Sequence, residues 1–359
     1  MLFIILLILF TVILILISMG HIFIESHKYV DDNIKNDYYP KTLVMLPCRG
    51  IDYSLRSNLN SIKNQNYNNF RLVCVVDNEN EGALKIIKEL NVEYIISDYK
   101  CEKCSGKVKA ISTAMKKFDD YDVYVIADSD IYVKNDWLIN LIMPLKNNDA
   151  GLSTTFPYFA PKNGFWSEVK EVWGFVGMGL MESKLTRFGW GGSLAFKREI
   201  IEDNFNFFSE HISDDTALTK IAKNKNLKIY YTKNSMPYVN SPENFVDFFE
   251  WANRQTALSI SADRRIYYYG LSFYGSYLFL FFSAILMGIF YNYLFFLFLI
   301  PATLYVINML KRLVKIKFTN VIAAIILPEI YIVNLLIAKR MKNIKWRGRK
   351  YNITDKKLL

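Results

Sequence analysis

The chain has 359 residues, 52% of them hydrophobic, and carries a formal net charge of +10. This length has room for one globular domain of about 200 to 250 residues, with membrane-spanning segments beside it. The excess of Lys and Arg follows residue 310 and flanks apolar segments instead of lining a soluble face, which argues against nucleic acid as a partner.

The first predicted element is an N-terminal transmembrane helix. Residues 1–24 are almost uninterrupted Leu, Ile, Phe and Val, long enough to cross a hydrocarbon core of about 30 Å. A cleaved signal peptide is disfavoured because no basic segment precedes the apolar core, which is also too long. Residues 25–40 are polar and are expected to form a linker to a soluble domain at residues 41–265.

Apolar strand patterns alternate with helical spacing through the soluble domain. Strands are predicted at 42–46, 70–76, 92–96, 123–127, 150–154 and 194–197, and helices at 55–62, 83–90, 107–118 and 137–145. This alternation predicts an α/β fold with a doubly wound, mostly parallel central sheet. Residues 156–180 are rich in aromatics, Gly and Met without a clean period. They are expected either to lie along a bilayer surface or to form an irregular cap on the core.

The predicted strand at 123–127 ends at two carboxylates. Asp128 and Asp130 follow it directly, and the carboxyl edge of such a sheet is where open α/β folds bind ligands. Ser129 is expected to point away in an extended chain, so both carboxylates face one cleft and repel each other unless a cation lies between them. A divalent ion that holds a phosphate explains the pair, and two turn aspartates are the alternative.

Two further features lie near predicted element ends. Lys107 begins a helix, where it either adds positive charge to a ligand pocket or is a solvated first-turn lysine. Gly191 and Gly192 belong to a Gly-Trp-Gly-Gly-Ser turn. Such a turn either lets the backbone approach a ligand closely or is an ordinary glycine turn.

A pair of acids, Asp214 and Asp215, precedes a helix that ends near residue 225. Ser213 or Asp214 is expected to cap this helix. Since one cap needs one side chain, the other carboxylate is available for chemistry.

A long helix is predicted to begin at Ser241 and Pro242, with Ser as its N-cap and Pro at its first position. On it Trp251, Arg254 and Gln255 stand three and four residues apart and share one face. An apolar helix surface explains the tryptophan but not the arginine, which needs an anion or a carboxylate.

The four cysteines all lie in the soluble domain. Cys48 and Cys74 fall in or next to strand patterns and are expected to be buried as small hydrophobic residues. Cys101 and Cys104 form a single C-x-x-C without a second pair at zinc spacing, so neither a metal site nor a redox role is expected of them. This usage is typical of a reducing, cytoplasmic location.

Apolar blocks return at residues 266–338. Residues 271–310 are twice the length of one span and are interrupted at Gly288 and at 291–293, which predicts a helical hairpin. A further block covers residues 321–338.

Basic clusters at 311–317 and 339–350 flank these blocks and predict the cytoplasmic side of the membrane. We therefore expect an integral membrane protein with its soluble domain and a basic tail at 339–359 in the cytoplasm. If every C-terminal block crossed, the tail would emerge outside, so Pro328 and Glu329 favour a last block that is re-entrant or interfacial.

In this order and spacing, the motifs resemble the family 2 glycosyltransferases, and among them the membrane-bound ceramide glucosyltransferase type. The likeness covers about residues 40–260 and the tail at 344–351. The motifs that carry it are Pro47-Cys48-Arg49-Gly50, Asp77, Lys107, Asp128-Ser129-Asp130, Gly191-Gly192-Ser193, Asp214-Asp215 and Trp251-x-x-Arg254-Gln255.

The resemblance implies the GT-A nucleotide-sugar fold and an inverting transfer from an activated sugar. Asp77 would contact the nucleoside of the donor, Asp128 and Asp130 would hold Mg²⁺ or Mn²⁺ on its diphosphate, and Asp215 matches the catalytic base. It also implies donor-side roles for Pro47, Arg49, Lys107, Asp128, Ser129, Trp251 and Gln255, acceptor-side roles for Gly191, Gly192 and Asp214, and a catalytic role near the diphosphate for Arg254. The sequence departs from the family's Q/R-x-x-R-W signature in that Trp251 precedes Arg254.

The membrane spans argue for a lipid hydroxyl as acceptor, because a soluble acceptor needs no such anchoring. The donor expected from the resemblance is similar to UDP-glucose. A processive polysaccharide synthase of the same fold is the alternative. Less favoured are an aspartyl phosphatase, for which Ile131 is only a partial motif match, and a non-catalytic membrane scaffold.

Overall fold

The computed structural model describes residues 2–26, 28–32 and 37–353. The predicted linker at 25–40 and tail at 339–359 therefore lie partly outside the described residues. The chain divides into two compact units. The helical unit comprises Met1–Lys28, Asn163–Val176 and Pro242–Met341, and the sheet unit comprises Tyr29–Lys162, Gly177–Ser241 and Lys342–Leu359.

The strands, in chain order, are β1 (Thr42–Cys48), β2 (Phe70–Val76), β3 (Glu93–Ile96), β4 (Val123–Ala127), β5 (Ile131–Tyr132), β6 (Ala150–Thr154), β7 (Tyr158–Pro161), β8 (Ser193–Lys197), β9 (Lys228–Tyr231), β10 (Tyr238–Ser241), β11 (Asn343–Trp346) and β12 (Arg349–Asn352). The α-helices are α1 (Leu2–Ser26), α2 (Leu55–Lys63), α3 (Ala83–Glu89), α4 (Gly106–Lys117), α5 (Trp137–Ile142), α6 (Phe165–Glu182), α7 (Arg198–Glu202), α8 (Phe205–Ser209), α9 (Asp214–Asn224), α10 (Phe245–Ala262), α11 (Arg265–Phe290), α12 (Ile300–Leu310) and α13 (Phe318–Arg340). Short 3₁₀ helices cover Met143–Lys146 and Tyr293–Leu299.

The main sheet confirms the predicted α/β fold. Among the described residues its strand order is β3-β2-β1-β4-β8-β6-β9. β1 pairs in parallel with β2 and β4, whereas β8 runs antiparallel to β4 and β6. Every residue of β4 is buried, as expected for a strand that is covered on both faces. The sheet is therefore mostly parallel, with one reversed strand.

The register of β1 brings three chain segments to one edge of this sheet. Cys48, the last residue of β1, pairs with Val76, the last residue of β2. β4 runs parallel to β1 on its other side. The residues that follow these three strands therefore leave the sheet at its carboxyl edge, where open α/β sheets bind ligands.

Helices α4 and α9 pack against the same hydrophobic core as the central strands. Val108, Ile111 and Met115, the predicted apolar positions of α4, are all buried in this core together with Ile126 of β4 and Leu218 of α9. Their spacing of three and four residues places them on one face of the helix. This packing fixes the start of each helix near the carboxyl edge of the sheet.

In the helical unit, three segments are long and apolar enough to span a membrane among the described residues: Arg265–Phe290, Tyr293–Leu310 and Phe318–Arg340. The first two are separated where the interruption was predicted, and α13 continues through Pro328. The apolar stretch Leu2–Leu16 of α1 is shorter than these three segments, so the N-terminal crossing stays a prediction.

Polar side chains also pair inside the helical unit. Lys317 Nζ donates to Glu168 Oε1 at 2.7 Å, and Asn320 Nδ2 donates to Glu171 Oε2 at 3.2 Å. These contacts tie the start of α13 to α6. They explain why the otherwise apolar α6 carries acids on its buried face, where an unpaired carboxylate would be costly.

The expectation of an irregular cap at residues 156–180 is wrong. The segment contains β7 and most of α6, and Val169, Val172 and Trp173 are buried at helical spacing. The sequence shows no clean period because residues 167–175 are all buried, so no exposed face alternates with the buried one.

The predicted start of the long helix at Ser241 and Pro242 is also wrong. Ser241 ends β10 and is paired with Pro161 of β7. The cap is Asn244, whose Oδ1 accepts from Asp247 N at 2.9 Å, and α10 begins at Phe245. Because α10 begins at Phe245, Ser241 lies three residues before the N-cap position and does not start the helix.

Candidate active site

The ends of β1 and β2 place an arginine beside an aspartate. Arg49 follows β1, Asp77 follows β2, and Arg49 Nη1 lies 3.0 Å from Asp77 Oδ2. Pro47 lies in β1 opposite Val75 and is half-buried. The structure thus brings together the first three residues of the predicted donor side.

Lys107, in the first turn of α4, joins the end of β4 to the start of α9. Its Nζ lies 2.7 Å from Asp128 Oδ1 and 3.2 Å from Asp214 Oδ2, and it donates to Gly191 O at 3.0 Å. Among the described residues Asp214 Oδ2 accepts no hydrogen bond, so its contact with Lys107 is an ion pair. We call Lys107, Asp128, Asp214 and Gly191 the Lys107 cluster.

The ammonium of this cluster is buried. The Lys107 side chain is 9% exposed, which excludes the alternative of a solvated first-turn lysine. Burial opposes its charge, yet the carboxylates of Asp128 and Asp214 outweigh that effect and raise the pKa of Lys107 above its ordinary value. The cation is therefore a permanent part of the site.

The glycine turn approaches the cluster too closely for any other residue type. A Cβ atom on Gly191 would lie 2.3 Å from Asp214 Oδ2 and 3.1 Å from Lys107 Nζ. The backbone N–H of Asp128 donates to Gly192 O at 3.1 Å, which ties the turn to the end of β4. Close packing around a side-chain cluster is the reason for glycine here.

The two acids at the start of α9 have different environments. Ser213 is the N-cap, and Asp215 Oδ1 accepts from Thr216 N at 2.7 Å. Asp214 is 4% exposed and faces Lys107. Burial raises the pKa of Asp214 to about 6, with Lys107 opposing the rise. The more accessible of the two carboxylates is Asp215, which is half-buried.

Asp52, which the sequence analysis did not single out, lies beside the D-x-D turn. Ser129 Oγ and the Arg347 guanidinium both donate to its carboxylate. Ser129 therefore contacts this acid, and residues 129–130 form a turn instead of the expected extended chain. Asp128 and Asp130 are half-buried on that turn. The signal for Asp52 was its position after β1, at the same edge as Asp77.

The expectation of a separate basic tail is wrong for its described part. β11 and β12 form an antiparallel hairpin that belongs to the sheet unit. Arg349 Nη2 donates to Asp77 Oδ2 at 2.9 Å, and Gly106 N donates to Tyr351 OH at 3.2 Å. The Lys and Arg residues had been assigned to lipid headgroups, whereas Arg349 pairs with a carboxylate at the sheet edge. The available signal for a hairpin was the alternation of apolar and polar residues on both sides of Gly348.

Trp251, Arg254 and Gln255 lie on α10 and belong to the helical unit. The Trp251 ring packs on Trp173 with centroids 4.8 Å apart, and Lys170 Nζ lies 4.6 Å from the Trp251 ring centroid. The Lys107 cluster, in contrast, consists of residues of the sheet unit. The roles predicted for these three residues stay predictions.

The D-x-D pair fits a divalent ion that has a bound diphosphate as its other ligand. Among the described residues no group of three or more His, Cys, Asp or Glu could hold a metal by itself. Mg²⁺, however, is commonly held by one or two carboxylates together with phosphate oxygens and water. Asp128 is 32% exposed and contacts Lys107 through Oδ1. Asp128 and Asp130 therefore suit this partial ligand set.

The cysteines separate into two kinds. Cys48 and Cys74 are free and buried, which confirms their predicted packing role. Cys101 and Cys104 form a disulfide with their Cα atoms 5.8 Å apart, a pairing that the sequence analysis did not expect. The C-x-x-C spacing brings the two residues within the ordinary reach of a disulfide.

Comparisons with known proteins agree with this architecture. The model of glycosyl transferase family 21 matches residues 9–359. Ceramide glucosyltransferase 1 of Caenorhabditis elegans is 21% identical over 239 residues, which cover 62% of this chain and 50% of that protein, so the chain spans about half the length of this curated relative. The solved mannosyltransferase PcManGT from Pyrobaculum calidifontis, in complex with GDP-Man and Mn²⁺, is 14% identical with a TM-score of 0.59, over 92% of this chain and 97% of that one. That likeness concerns the fold.

Proposed function

The chain belongs to glycosyl transferase family 21 and has the GT-A fold, and we propose that it moves a hexose from a nucleotide-diphosphate sugar to a hydroxyl group of a membrane lipid. The transfer is inverting and depends on a divalent metal. The observation that carries the proposal is the Lys107 cluster, in which one ammonium holds Asp128 at the end of β4 and Asp214 at the start of α9. The candidate metal ligands and the candidate base are thereby held at one edge of the sheet.

The donor binds at the ends of β1, β2 and β4. Asp77, beside Arg49, contacts the nucleoside, and Asp128 and Asp130 hold Mg²⁺ or Mn²⁺ on the diphosphate. When bound, the metal stabilises the negative charge that develops on the leaving diphosphate. The Mn²⁺ and GDP-Man bound to the mannosyltransferase of similar fold support this assignment. UDP-glucose is the first donor to test, because a relative is a ceramide glucosyltransferase.

Asp215 is the base that accepts the proton of the acceptor hydroxyl. Its contacts with Ser213 and with Thr216 N both use Oδ1, which leaves Oδ2 to face an acceptor. Asp214 is unsuited to this task, since it is buried and held by Lys107. A single displacement with one base on the acceptor side inverts the anomeric centre, as in inverting glycoside chemistry.

The acceptor is a membrane lipid. Three apolar helices in the helical unit are long enough to hold the protein in a bilayer, so a hydroxyl at headgroup level can react while its tails stay in lipid. The ceramide glucosyltransferase relative supports the same acceptor class. The catalytic domain faces the cytoplasm, as the basic residues at 311–317 favour.

The test is a transfer assay on the full chain purified in detergent. UDP- and GDP-sugars are screened with Mn²⁺ against lipid extracts, and products are identified by mass spectrometry. We expect one hexose on one lipid. Asp215→Asn should abolish transfer and leave donor binding intact, whereas Asp128→Ala should lose Mn²⁺-dependent donor binding.

Asp119→Asn is the matched control, because Asp119 is exposed on the same unit. It should transfer at the wild-type rate. Full turnover by Asp215→Asn would remove Asp215 as the base, and a ladder of longer glycans would favour the processive synthase instead.

A further inference from the structure

The tip of the β11–β12 hairpin carries a guanidinium to the acidic edge of the sheet. Trp346 pairs with Arg349, so the turn consists of Arg347 and Gly348, with φ values of 48° and 75°. Two central residues with positive φ define the tight hairpin turn that matches strand twist. This geometry projects Arg347 from a defined position on the hairpin.

Arg347 faces the D-x-D turn as well as its direct partner. Its Nη2 donates to Asp52 Oδ1. Although burial opposes its charge, the carboxylates of Asp52, Asp130 and Asp128 raise the pKa of Arg347. The guanidinium is therefore in the electrostatic field of the same two carboxylates that are the candidate metal ligands.

A bound diphosphate needs a cation that Lys107 cannot supply. Lys107 Nζ lies between Asp128 Oδ1 and Asp214 Oδ2, at 2.7 and 3.2 Å, and donates to Gly191 O, so its charge is already matched by two carboxylates. Of the guanidiniums at this edge, Arg49 and Arg349 share one oxygen of Asp77, at 3.0 and 2.9 Å. Arg347 is the one directed at the D-x-D side of the edge.

The pairing of Arg347 is suited to exchange. The Arg347 side chain is 40% exposed, whereas that of Asp52 is 9% exposed. Ser129 Oγ also donates to Asp52, so the carboxylate keeps a hydrogen bond when the guanidinium moves. A diphosphate offers the forked oxygen geometry that a guanidinium binds through two parallel hydrogen bonds. The guanidinium can therefore exchange Asp52 for a phosphate, while Ser129 still donates to Asp52.

The rest of the hairpin is seated firmly enough to hold its tip in place. Tyr351 OH accepts from Gly106 N at 3.2 Å, and Arg349 donates to Asp77. A Cβ atom on Gly106 would lie 2.2 Å from Arg349 Nη1, so the hairpin lies directly on the start of α4. The hairpin is thus anchored at the start of α4 and at the acid that follows β2.

We propose that Arg347 is a donor-binding residue, which exchanges Asp52 for the diphosphate of the nucleotide sugar when the donor binds. This inference rests on the proposed function, because it requires a nucleoside diphosphate at the D-x-D turn. It adds the C-terminal hairpin, far away in sequence, to the donor site.

The test measures binding of UDP and GDP with Mn²⁺, and of uridine and guanosine, to the full chain by isothermal titration calorimetry. Arg347→Ala should weaken binding of the preferred nucleoside diphosphate about tenfold or more and leave binding of its nucleoside unchanged, because a charge-assisted hydrogen-bond pair to phosphate is lost. Arg347→Lys should lose about threefold, since the charge stays but the fork is gone.

Two charge-matched controls accompany these variants. Lys345→Ala removes an exposed cation from the same hairpin, and Arg56→Ala breaks an exposed ion pair with Glu89. Both should bind within about twofold of wild type. If Arg347→Ala does not fold, Arg347→Lys decides, and wild-type affinity in that protein counts against the inference.

The outcomes separate the two proposals. Wild-type diphosphate affinity in a folded Arg347→Ala protein overturns the inference and leaves the proposed function intact. Equal loss of nucleoside and diphosphate affinity also overturns it, because the hairpin would then only support the pocket. A wild-type protein that binds neither diphosphate with Mn²⁺ removes the proposed function, and this inference with it.

Discussion

Two cationic regions contact carboxylates at the same edge of the sheet and differ in burial. Lys107 is 9% exposed and holds its partners from inside the sheet unit, whereas Arg347 and Arg349 are 40% and 38% exposed and reach the edge from the hairpin. A buried pair is costly to break, because each partner is left uncompensated in a poorly solvated position. Arg347 is more exposed than Lys107, and its partner Asp52 keeps the hydrogen bond from Ser129 Oγ when the guanidinium moves. The difference teaches that the interior cation fixes the geometry of the site, while Arg347 at the hairpin tip is available to a ligand.

Replacing Lys107 with Met should have the largest effect on both stability and transfer activity. Asp128 and Asp214 would lose the cation that holds them together, and removing one partner of a buried pair costs about 3 to 5 kcal/mol. We expect the free energy of unfolding to fall by about this amount, as measured by urea titration with circular dichroism. Transfer should be undetectable.

Lys117→Met is the matched control on the same helix, because Lys117 is exposed. Its unfolding free energy should stay within about 0.5 kcal/mol of wild type. The double variant Lys107→Met, Asp214→Asn should recover part of the loss, since one of the two uncompensated charges is gone. A Lys107→Met protein as stable as wild type would contradict the role of Lys107 as the interior cation.

Gly191→Ala should have a smaller effect, which falls on activity more than on folding. The new Cβ would lie 2.3 Å from Asp214 Oδ2, so Asp214 must move relative to Lys107. Misplacement of about 1 Å near a reacting centre can cost about 100-fold, and we expect kcat/KM to fall by about 10- to 100-fold. Gly275→Ala, with no atom within 4 Å of the new Cβ, should keep full activity. Unchanged kcat/KM in Gly191→Ala would show that the close approach is dispensable.

Most of the sheet could be predicted because its strands are buried on both faces. The strands at 70–76, 123–127 and 150–154 were predicted with the observed bounds, because a short apolar run between polar turns is typical of a buried strand. β5, β7 and β10 were missed. They form a small separate sheet whose pairing joins distant segments, and β5 has only two residues. Local periodicity carries no signal for such pairing.

The site was predictable where it follows strands and was missed where it comes from a distant segment. Asp77, Asp128 and Lys107 stand at element ends, which local patterns locate. The contact of Arg349 with Asp77 joins positions 272 residues apart. Because a cluster of basic residues beside an apolar helix has the same composition whether it faces lipid or protein, only the folded chain distinguishes the two.

The hairpin also constrains the topology. A chain that leaves the sheet unit after Ser241 and rejoins it at Lys342 crosses a bilayer an even number of times in between. Three helices in that interval are long and apolar enough to cross among the described residues. The number of these helices that cross stays a prediction, as does the side of the membrane on which the sheet unit lies.

Tyr351→Phe should have the smallest effect. It tests whether the β11–β12 hairpin acts through donor binding alone. The change removes one neutral hydrogen bond, from Gly106 N to Tyr351 OH, which is worth about 0.5 to 1.5 kcal/mol, while Arg349 still anchors the hairpin. We expect KM for the donor to rise about two- to fivefold with kcat unchanged, in steady-state assays of transfer. Tyr230 lies on the edge strand β9, and its hydroxyl donates to Asp149. Tyr230→Phe loses this hydrogen bond and should leave both constants unchanged. A fall in kcat instead of a rise in KM would place the hairpin in the chemical step. The division between Lys107, which shapes the site, and Arg347, which binds the ligand, would then be untenable.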